Sequence, residues 1–142
     1  MRISAHVDNR KDNHHVTLKT DDSIHSLDIP PKFTGFGSSV NGGELLFLAL
    51  ATCYCNDIYR EATKRGITVE RVEVEVEGEF GAQGEAARNI TYKAKVAAAG
   101  SEEEILELME QTDRVSEIQN TLRAQTPVRL DHVEVMKIKP QS

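Results

Sequence analysis

Cys53 and Cys55 are the only two cysteines of the chain and its strongest candidates for chemistry. Both lie in the stretch 41–66, which reads NGGELLFLALATCYCNDIYREATKRG. On a helix, a spacing of two residues turns the two side chains about 200° apart, so a disulfide between them would be strained. The spacing is also not that of a Cys-x-x-Cys redox pair. One interpretation is therefore that both are small buried hydrophobic residues, as free cysteines usually are.

Metal, cofactor and nucleic-acid binding are not predicted. Net charge is −6, and the chain lacks the clusters of Lys and Arg that a phosphate backbone requires. The N-terminal sequence MRISAHVDNRK has no apolar segment typical of a secretory signal, and two cysteines in one helix favour a reducing cytoplasm. No spacing typical of tetrahedral ligation with the thiols is formed by the histidines, which are His6, His14, His15, His25 and His132.

The segment that carries the cysteines is predicted to be a central core helix. From Leu45 to Cys55 only Thr52 is polar, so this half of the helix must be buried on all sides. The apolar run is about a dozen residues, too short for a membrane span of roughly 20. From Asn56 onward charged residues recur, and the second half is predicted to emerge toward water and to end at Gly66.

Short β-type segments are predicted before this helix, at residues 2–8, 14–20 and 23–29, with a hairpin turn around Asp12 and Asn13. Residues 30–43 contain two prolines and four glycines, which predicts a long crossover loop. After the helix, valines alternate with glutamates over 72–77, and apolar residues alternate again over 90–96. This period of two predicts two long antiparallel strands with one covered face.

The last third of the sequence predicts two helices and a strand. Ser101 and Glu104 form a capping box, and the helix that follows should carry its apolar residues inward, namely Ile105, Leu106, Leu108 and Met109. Asp113 is predicted to cap a further short helix. Pro127 should open the last strand, with a bulge near Asp131 and His132 where the apolar phase switches.

The predicted order βββ-α-ββ-αα-β indicates an α+β fold, with antiparallel sheets packed around a long buried helix in a single domain over residues 1–142. One sheet covers only one side of a helix that is apolar all round. Two short helices and a few loops are insufficient for the rest. The sequence therefore favours a homodimer in which a second copy supplies the missing cover.

The central helix resembles that of the OsmC/Ohr family, the osmotically inducible and organic-hydroperoxide-resistance proteins. The resemblance rests on ELL at 44–46, ATCY at 51–54 and the nine-residue interval from Glu44 to Cys53, and it continues through the later strands and helices. It implies an intertwined homodimer with sites at the interface, and reduction of organic hydroperoxides in oxidative-stress defence. The implied reductant is a lipoylated protein or another dithiol, with no cofactor.

The resemblance also implies roles for individual residues. Cys53 would be the peroxidatic thiol, and Glu44 the glutamate that helps to hold the thiolate and the peroxide. Arg10, in the turn NRKDN, is the best candidate for the activating arginine, although Lys11 is adjacent. An equally acceptable interpretation of Arg10 is a solvated turn residue.

Two departures from the family pattern stand out. The second motif, a Cys-Pro followed by Asn and Arg, best matches Ser116-Glu117 with Asn120 and Arg123, so serine stands where the resolving cysteine is expected. Gly43 replaces the proline before the glutamate. Cys55 points away from Cys53 on the helix and is a poor substitute. The resemblance therefore predicts a one-cysteine enzyme that needs an external thiol.

Physical chemistry sets a further condition on Cys53. Burial raises the pKa of a thiol, and a residue about nine positions into a helix is too far from its positive end for the dipole to help. A nearby cation is therefore needed, and arginine is the natural one. Glu44 would lie about 13.5 Å from Cys53 along one helix axis. Either the helix begins after Glu44, or the site is built between two chains.

Two other interpretations stay open at this point. The chain could be a dimeric binding or structural relative that has kept the fold but lost turnover. It could also be an unrelated α+β domain in which both cysteines only pack.

Overall fold

The computed structural model describes residues 1–138 and begins with a three-stranded antiparallel sheet. Its strands are β1 (Ile3–Arg10), β2 (Asn13–Thr20) and β3 (Ser23–Ser26), in the order β1-β2-β3. Arg10 pairs with Asn13, so only two residues form the first turn. Asp12 takes φ +61° there, a left-handed conformation that Asp tolerates better than most residues. The predicted N-terminal hairpin is confirmed.

The predicted crossover loop holds this hairpin turn. The backbone N–H of Asp12 donates to the carbonyl of Gly35 at 2.6 Å. The side-chain amide of Asn9 accepts from the N–H of Gly37 at 3.0 Å and donates to its carbonyl at 3.2 Å. Gly35 has φ +91°, and a Cβ on it would lie 2.6 Å from a carboxylate oxygen of Asp12. The loop therefore fixes the position of the β1–β2 turn.

Helix α1 (Gly42–Lys64) is the long helix that the apolar segment predicts. It begins with a capping box, because the side chain of Asn41 accepts from the N–H of Glu44 at 2.8 Å and the Glu44 carboxylate accepts from the N–H of Asn41 at 3.0 Å. It ends before Gly66, which has φ +65°. None of the helices in the described part of the chain is long and apolar enough to cross a bilayer.

The burial along α1 agrees with the sequence expectation only in part, because the second half is amphipathic as expected but the first half is not buried on all sides. Ile58 and Ala62 in the second half are 0% and 2% exposed, whereas Leu48 in the apolar first half is 55% exposed. The second half is buried because it packs against a hairpin and two helices that follow it in the chain. In the first half Leu50 and Tyr54 are buried, but its other apolar residues are only partly covered within one chain.

The covering elements are β4 (Val69–Glu79), β5 (Arg88–Ala98), α2 (Glu102–Val115) and α3 (Glu117–Arg123). The two strands form a separate antiparallel sheet whose valines face α1 and whose glutamates face water, as predicted. Ser101 caps α2 through the predicted capping box with Glu104. A small core joins the helix, the sheet and α2 through Tyr54, Ile58, Ala62 and Leu108.

Three predictions for the last third of the chain are wrong in detail. Asp113 lies inside α2 and does not cap a helix; Ser116 is the N-cap of α3. Leu106 is 54% exposed, because on α2 it lies two residues from the buried Leu108. Residues 127–138 contain no strand and no bulge at Asp131 and His132, since none of the described strands pairs with this segment.

The single chain exposes far more surface than a compact domain of its size. Its accessible area is 11515 Å², whereas a compact monomer of this length exposes about 7,300 Å². The chain thus buries about half of its unfolded surface rather than the expected two thirds. Within residues 1–138, the N-terminal sheet makes no extensive contact with a helix or with the second sheet.

We predict that Leu108→Ala will lower the free energy of unfolding by about 2–5 kcal/mol, because it empties a fully buried site in the core cluster that joins α1 to α2. Urea denaturation followed by circular dichroism measures this. Leu106→Ala on the same helix is the matched control and should change the stability by no more than about 0.5 kcal/mol. Equal losses in the two variants would contradict the assignment of the core.

Candidate functional site

Cys53 lies at the middle of α1 and faces the start of α3. Its Sγ is 3.4 Å from Oδ2 of Asp57, one helical turn later, and 3.7 Å from Oε2 of Glu117 on α3. The backbone N–H of Ile118 also donates toward the sulfur. The thiol is half-buried, so it is both held in place and within reach of a small molecule.

Arg60 connects the two carboxylates that contact the thiol. Its guanidinium lies 3.2 Å from Asp57 and 3.0 Å from Glu117, and its Nε lies 3.1 Å from Glu61. Only 7% of Asp57 is exposed, so a negative charge on it depends on its pairing with Arg60. We refer to Cys53, Asp57, Arg60 and Glu117 as the Cys53 cluster.

The electrostatics of the Cys53 cluster favour the protonated thiol in a single chain. Burial raises the pKa of Cys53, the N–H of Ile118 lowers it, and the hydrogen bond and charge of Asp57, with the charge of Glu117, raise it further. The pKa of Asp57 is also raised, first by burial and then by its neighbour Glu117, against the lowering effect of Arg60. The Cys53 thiol donates a hydrogen bond to Asp57, and both carboxylates oppose its ionisation.

The Cys53 cluster also has the donor types of a metal site. The sulfur and one carboxylate oxygen each from Asp57 and Glu117 lie within 4.8 Å of one another. Thiolate and carboxylate are ligands that Zn²⁺ accepts. Arg60 already contacts both carboxylates, so a metal ion would have to displace a cation that the chain itself provides.

Glu44 and Arg10 do not meet Cys53 within one chain. Glu44 belongs to the capping box at the start of α1, about 13.5 Å before Cys53 along a continuous helix. The alternative in which the helix begins after Glu44 is therefore excluded. Arg10 ends β1 and pairs with Asp8 at 3.5 Å, with 77% of its side chain exposed. The roles assigned to both residues require a second chain and stay predictions.

Ser116, which the resemblance matches to the resolving cysteine, lies between α2 and α3. It is fully buried at the junction of α2 and α3, and its hydroxyl donates to the carbonyl of Thr112 at 2.7 Å. The two residues that follow it, Glu117 and Ile118, both contact the sulfur of Cys53. Position 116 is therefore next to the cysteine in space, although the two are far apart in sequence.

Three members of the Cys53 cluster were not predicted as site residues. Asp57 and Arg60 follow Cys53 by four and seven positions, which places all three on one face of a helix. That spacing was a usable signal in the sequence. Glu117 had no such signal, because only the packing of α3 on α1 brings it to the sulfur.

A second set of polar contacts joins β5 to the helices α1, α2 and α3 near the site. The hydroxyl of Tyr92 donates to the carboxylate of Asp113, which also pairs with Arg123 at 2.7 Å. Tyr54 stacks edge-on against Tyr92 and donates to the carbonyl of Met109 at 3.0 Å. Burial, followed by the charge of Asp113, raises the pKa of Tyr54 to about 12. These contacts fix the angle between α2 and α3, and hence the position of Glu117.

A model of the family described as OsmC-like protein matches residues 35–131. The matched range includes Glu44, Cys53 and Ser116 but not Arg10. No curated protein matches the sequence significantly.

Several solved structures have a similar fold. An OsmC-like protein from Mycoplasma pneumoniae is 25% identical, with 86% of each chain covered and a TM-score of 0.59. An organic hydroperoxide resistance protein from Legionella pneumophila is 21% identical, covering 87% of this chain and 90% of its own, with a TM-score of 0.60. An OsmC-like protein of unknown function from Vibrio cholerae is 14% identical, covering 85% and 93%, with a TM-score of 0.59.

Proposed function

Since the chain belongs to the OsmC-like protein family, we propose that it is a one-cysteine thiol peroxidase that reduces organic hydroperoxides through Cys53. The observation that carries the proposal is the position of the Cys53 sulfur, which lies at the meeting of α1 and α3 against Asp57 and Glu117. Cys55 has no such contacts to ionisable groups among the described residues. The Legionella pneumophila neighbour, whose description is organic hydroperoxide resistance, supports the substrate class.

The first step of the reaction gives the sulfenic acid of Cys53 and an alcohol. The sulfur of Cys53 attacks the distal oxygen of the hydroperoxide, an S–O bond forms and the O–O bond breaks. The sulfur is oxidised to a sulfenic acid, and the alkoxide takes up the proton that the thiol has lost and leaves as an alcohol. Because Ser116 supplies no second thiol, an external thiol or a lipoyl-type dithiol reduces the sulfenic acid. A reducing cytoplasm would provide both a reductant and the conditions that keep two free cysteines reduced.

The working unit is a homodimer in this proposal. The excess of about 4,000 Å² of surface over a compact monomer is in the range that intertwined subunits bury. Apolar residues are open on three parts of the chain that lie outside the small core, represented by Val7 on β1, Leu48 on α1 and Leu130 near the C-terminal end. A second copy would cover the first half of α1 and would give residues 127–138 a strand with which to pair.

The same arrangement offers a cation to the thiol. Within one chain Glu44 belongs to the cap of α1 and Arg10 pairs with Asp8, so in this proposal each reaches a sulfur across the interface. An arginine from the second copy would offset the two carboxylates that raise the pKa of Cys53. Dimerisation and activation of the thiol are therefore linked in this proposal.

We expect the purified protein to have the mass of two chains in size-exclusion chromatography with light scattering at micromolar concentration. Truncation after Thr126 should give a single chain, because it removes the apolar segment that lacks a partner in the monomer. Leu130→Asp, which places a charge on that segment, should weaken the dimer in the same direction. A full-length monomer at this concentration would contradict the proposed assembly.

A second candidate function is that of a dimeric small-molecule binding or structural protein without turnover. The observation in its favour is that Asp57 and Glu117 raise the pKa of Cys53, which reduces the thiolate that a peroxidase needs. The test that separates the two functions is consumption of an organic hydroperoxide, with equal formation of alcohol, by purified protein supplied with a dithiol. Turnover that depends on Cys53 supports the peroxidase, and its absence supports the binding protein.

A further inference from the structure

We infer that Asp57 is a catalytic base of this site: it takes the proton from the Cys53 thiol as the sulfur attacks and returns it to the departing alkoxide. The inference rests on the proposed peroxidase function and adds a residue to it. The role assigned to an arginine and to Glu44 by the family resemblance is different, since those groups hold the thiolate and the peroxide.

The geometry supports a proton transfer between the two residues. Oδ2 of Asp57 is the ionisable oxygen nearest to the sulfur, at 3.4 Å, and the thiol is the donor. The other carboxylate oxygen, Oδ1, is fixed by Arg60 at 3.2 Å, so the Oδ2 that faces the thiol is the one left to accept a proton. Burial of Asp57 limits competition from water for that oxygen.

The transfer removes a difficulty in the proposed function. A thiol flanked by two carboxylates ionises little before it meets the substrate. A base in contact with the sulfur makes prior ionisation unnecessary, because the proton leaves while the S–O bond forms. The protonated Asp57 then lies beside the breaking O–O bond and gives the proton to the alkoxide. The carboxylate is restored, and the atoms balance as thiol plus hydroperoxide giving sulfenic acid plus alcohol.

Asp57 is better suited to this task than Glu117, the other carboxylate that contacts the sulfur. Its pKa is raised by burial and by its contact with Glu117, which makes it the stronger proton acceptor of the two, whereas the pKa of Glu117 is lowered by the backbone N–H at the start of α3, by Asp57 and by Arg60. Glu117 is also farther away, at 3.7 Å, and its side chain is 60% exposed. Arg60 faces both carboxylates and is a positioning residue, since it holds Asp57 without touching the sulfur in any contact observed here.

The test compares Asp57→Asn and Glu117→Gln in a Cys55→Ser background, so that Cys53 is the only thiol. Each variant loses one negative charge near the sulfur. Both carboxylates raise the pKa of Cys53, so each variant should move the pH midpoint of Cys53 alkylation by iodoacetamide to a lower value. If charge alone governed the site, both variants should also react faster with cumene hydroperoxide at neutral pH.

A base makes a different prediction for hydroperoxide. Asp57→Asn should react about 100-fold more slowly or worse, despite its more acidic thiol, whereas Glu117→Gln should react faster than the wild type, because it keeps the base and loses a charge that raises the pKa of Cys53. Sulfenic acid formation in single-turnover experiments gives both rates. An Asp57→Asn rate that equals or exceeds that of the wild type would overturn the inference but leave the proposed function intact. A wild type that does not react at all would overturn both.

A measurement on the wild type guards against misfolding of Asp57→Asn. If the proton moves during the attack, sulfenic acid should form more slowly in deuterated water at a pH below the alkylation midpoint. Deuterated water also changes the fraction of thiolate, which alkylation measures separately. The rate should fall by more than this change in thiolate explains. An isotope effect that disappears after this correction would overturn the inference without the use of any variant.

Discussion

Replacing Cys53 by serine should abolish sulfenic acid formation and hydroperoxide consumption altogether, while Cys55→Ser should leave both close to wild type. The reason is positional: the sulfur of Cys53 contacts Asp57, Glu117 and the N–H of Ile118, whereas Cys55 is turned about 200° away on the same helix. Serine keeps the size of the side chain but has no oxidisable sulfur. The effect is therefore on chemistry and not on packing.

Intact-mass spectrometry measures this directly. Purified protein is mixed briefly with an organic hydroperoxide and a sulfenic-acid trap, and each variant is treated in parallel. Fast labelling that is lost only in Cys53→Ser would establish a reactive one-cysteine centre. Slow and equal labelling of the two thiols would show that Cys53 is a packing residue, and the binding-protein alternative would then be favoured.

The sequence was sufficient for the elements but not for their packing. The hairpins, the central helix and α2 follow from patterns within a single segment, such as the alternating valines of β4 and the capping box at Ser101. Burial of α1 depends on which elements cover it, and no local pattern states that β4, α2 and α3 all pack on this helix. The prediction of a last strand after Pro127 was wrong for a related reason. A strand needs a neighbouring strand to pair with, and none of the described strands lies beside residues 127–138.

The candidate site shows the same division. Cys53 was singled out by the resemblance to the OsmC/Ohr family, and Asp57 and Arg60 were within reach of an argument from helical spacing. Glu117 was not, since it arrives from an element more than sixty residues later. Its effect on the thiol is the principal correction to the sequence argument, which expected a cation beside Cys53 and did not foresee two carboxylates.

Ser116→Cys should convert the protein into a two-cysteine enzyme that forms a disulfide between residues 53 and 116 when oxidised. Position 116 directly precedes Glu117 and Ile118, which contact the sulfur of Cys53, so we expect a thiol there to come within reach of the sulfenic acid. The present serine points instead at the carbonyl of Thr112. After hydroperoxide treatment, the intact mass should fall by two hydrogen atoms, and labelling by the sulfenic-acid trap should disappear.

Ser116→Ala is the matched control, because it removes the same hydrogen bond without adding a thiol. It should lose about 1 kcal/mol of stability and keep full labelling of Cys53. If Ser116→Cys also kept full labelling, position 116 would be unable to reach the sulfenic acid, and serine there would have a purely structural role. Disulfide formation would instead mean that the site retains the geometry of a resolving step. A single substitution would then be enough to explain the need for an external thiol.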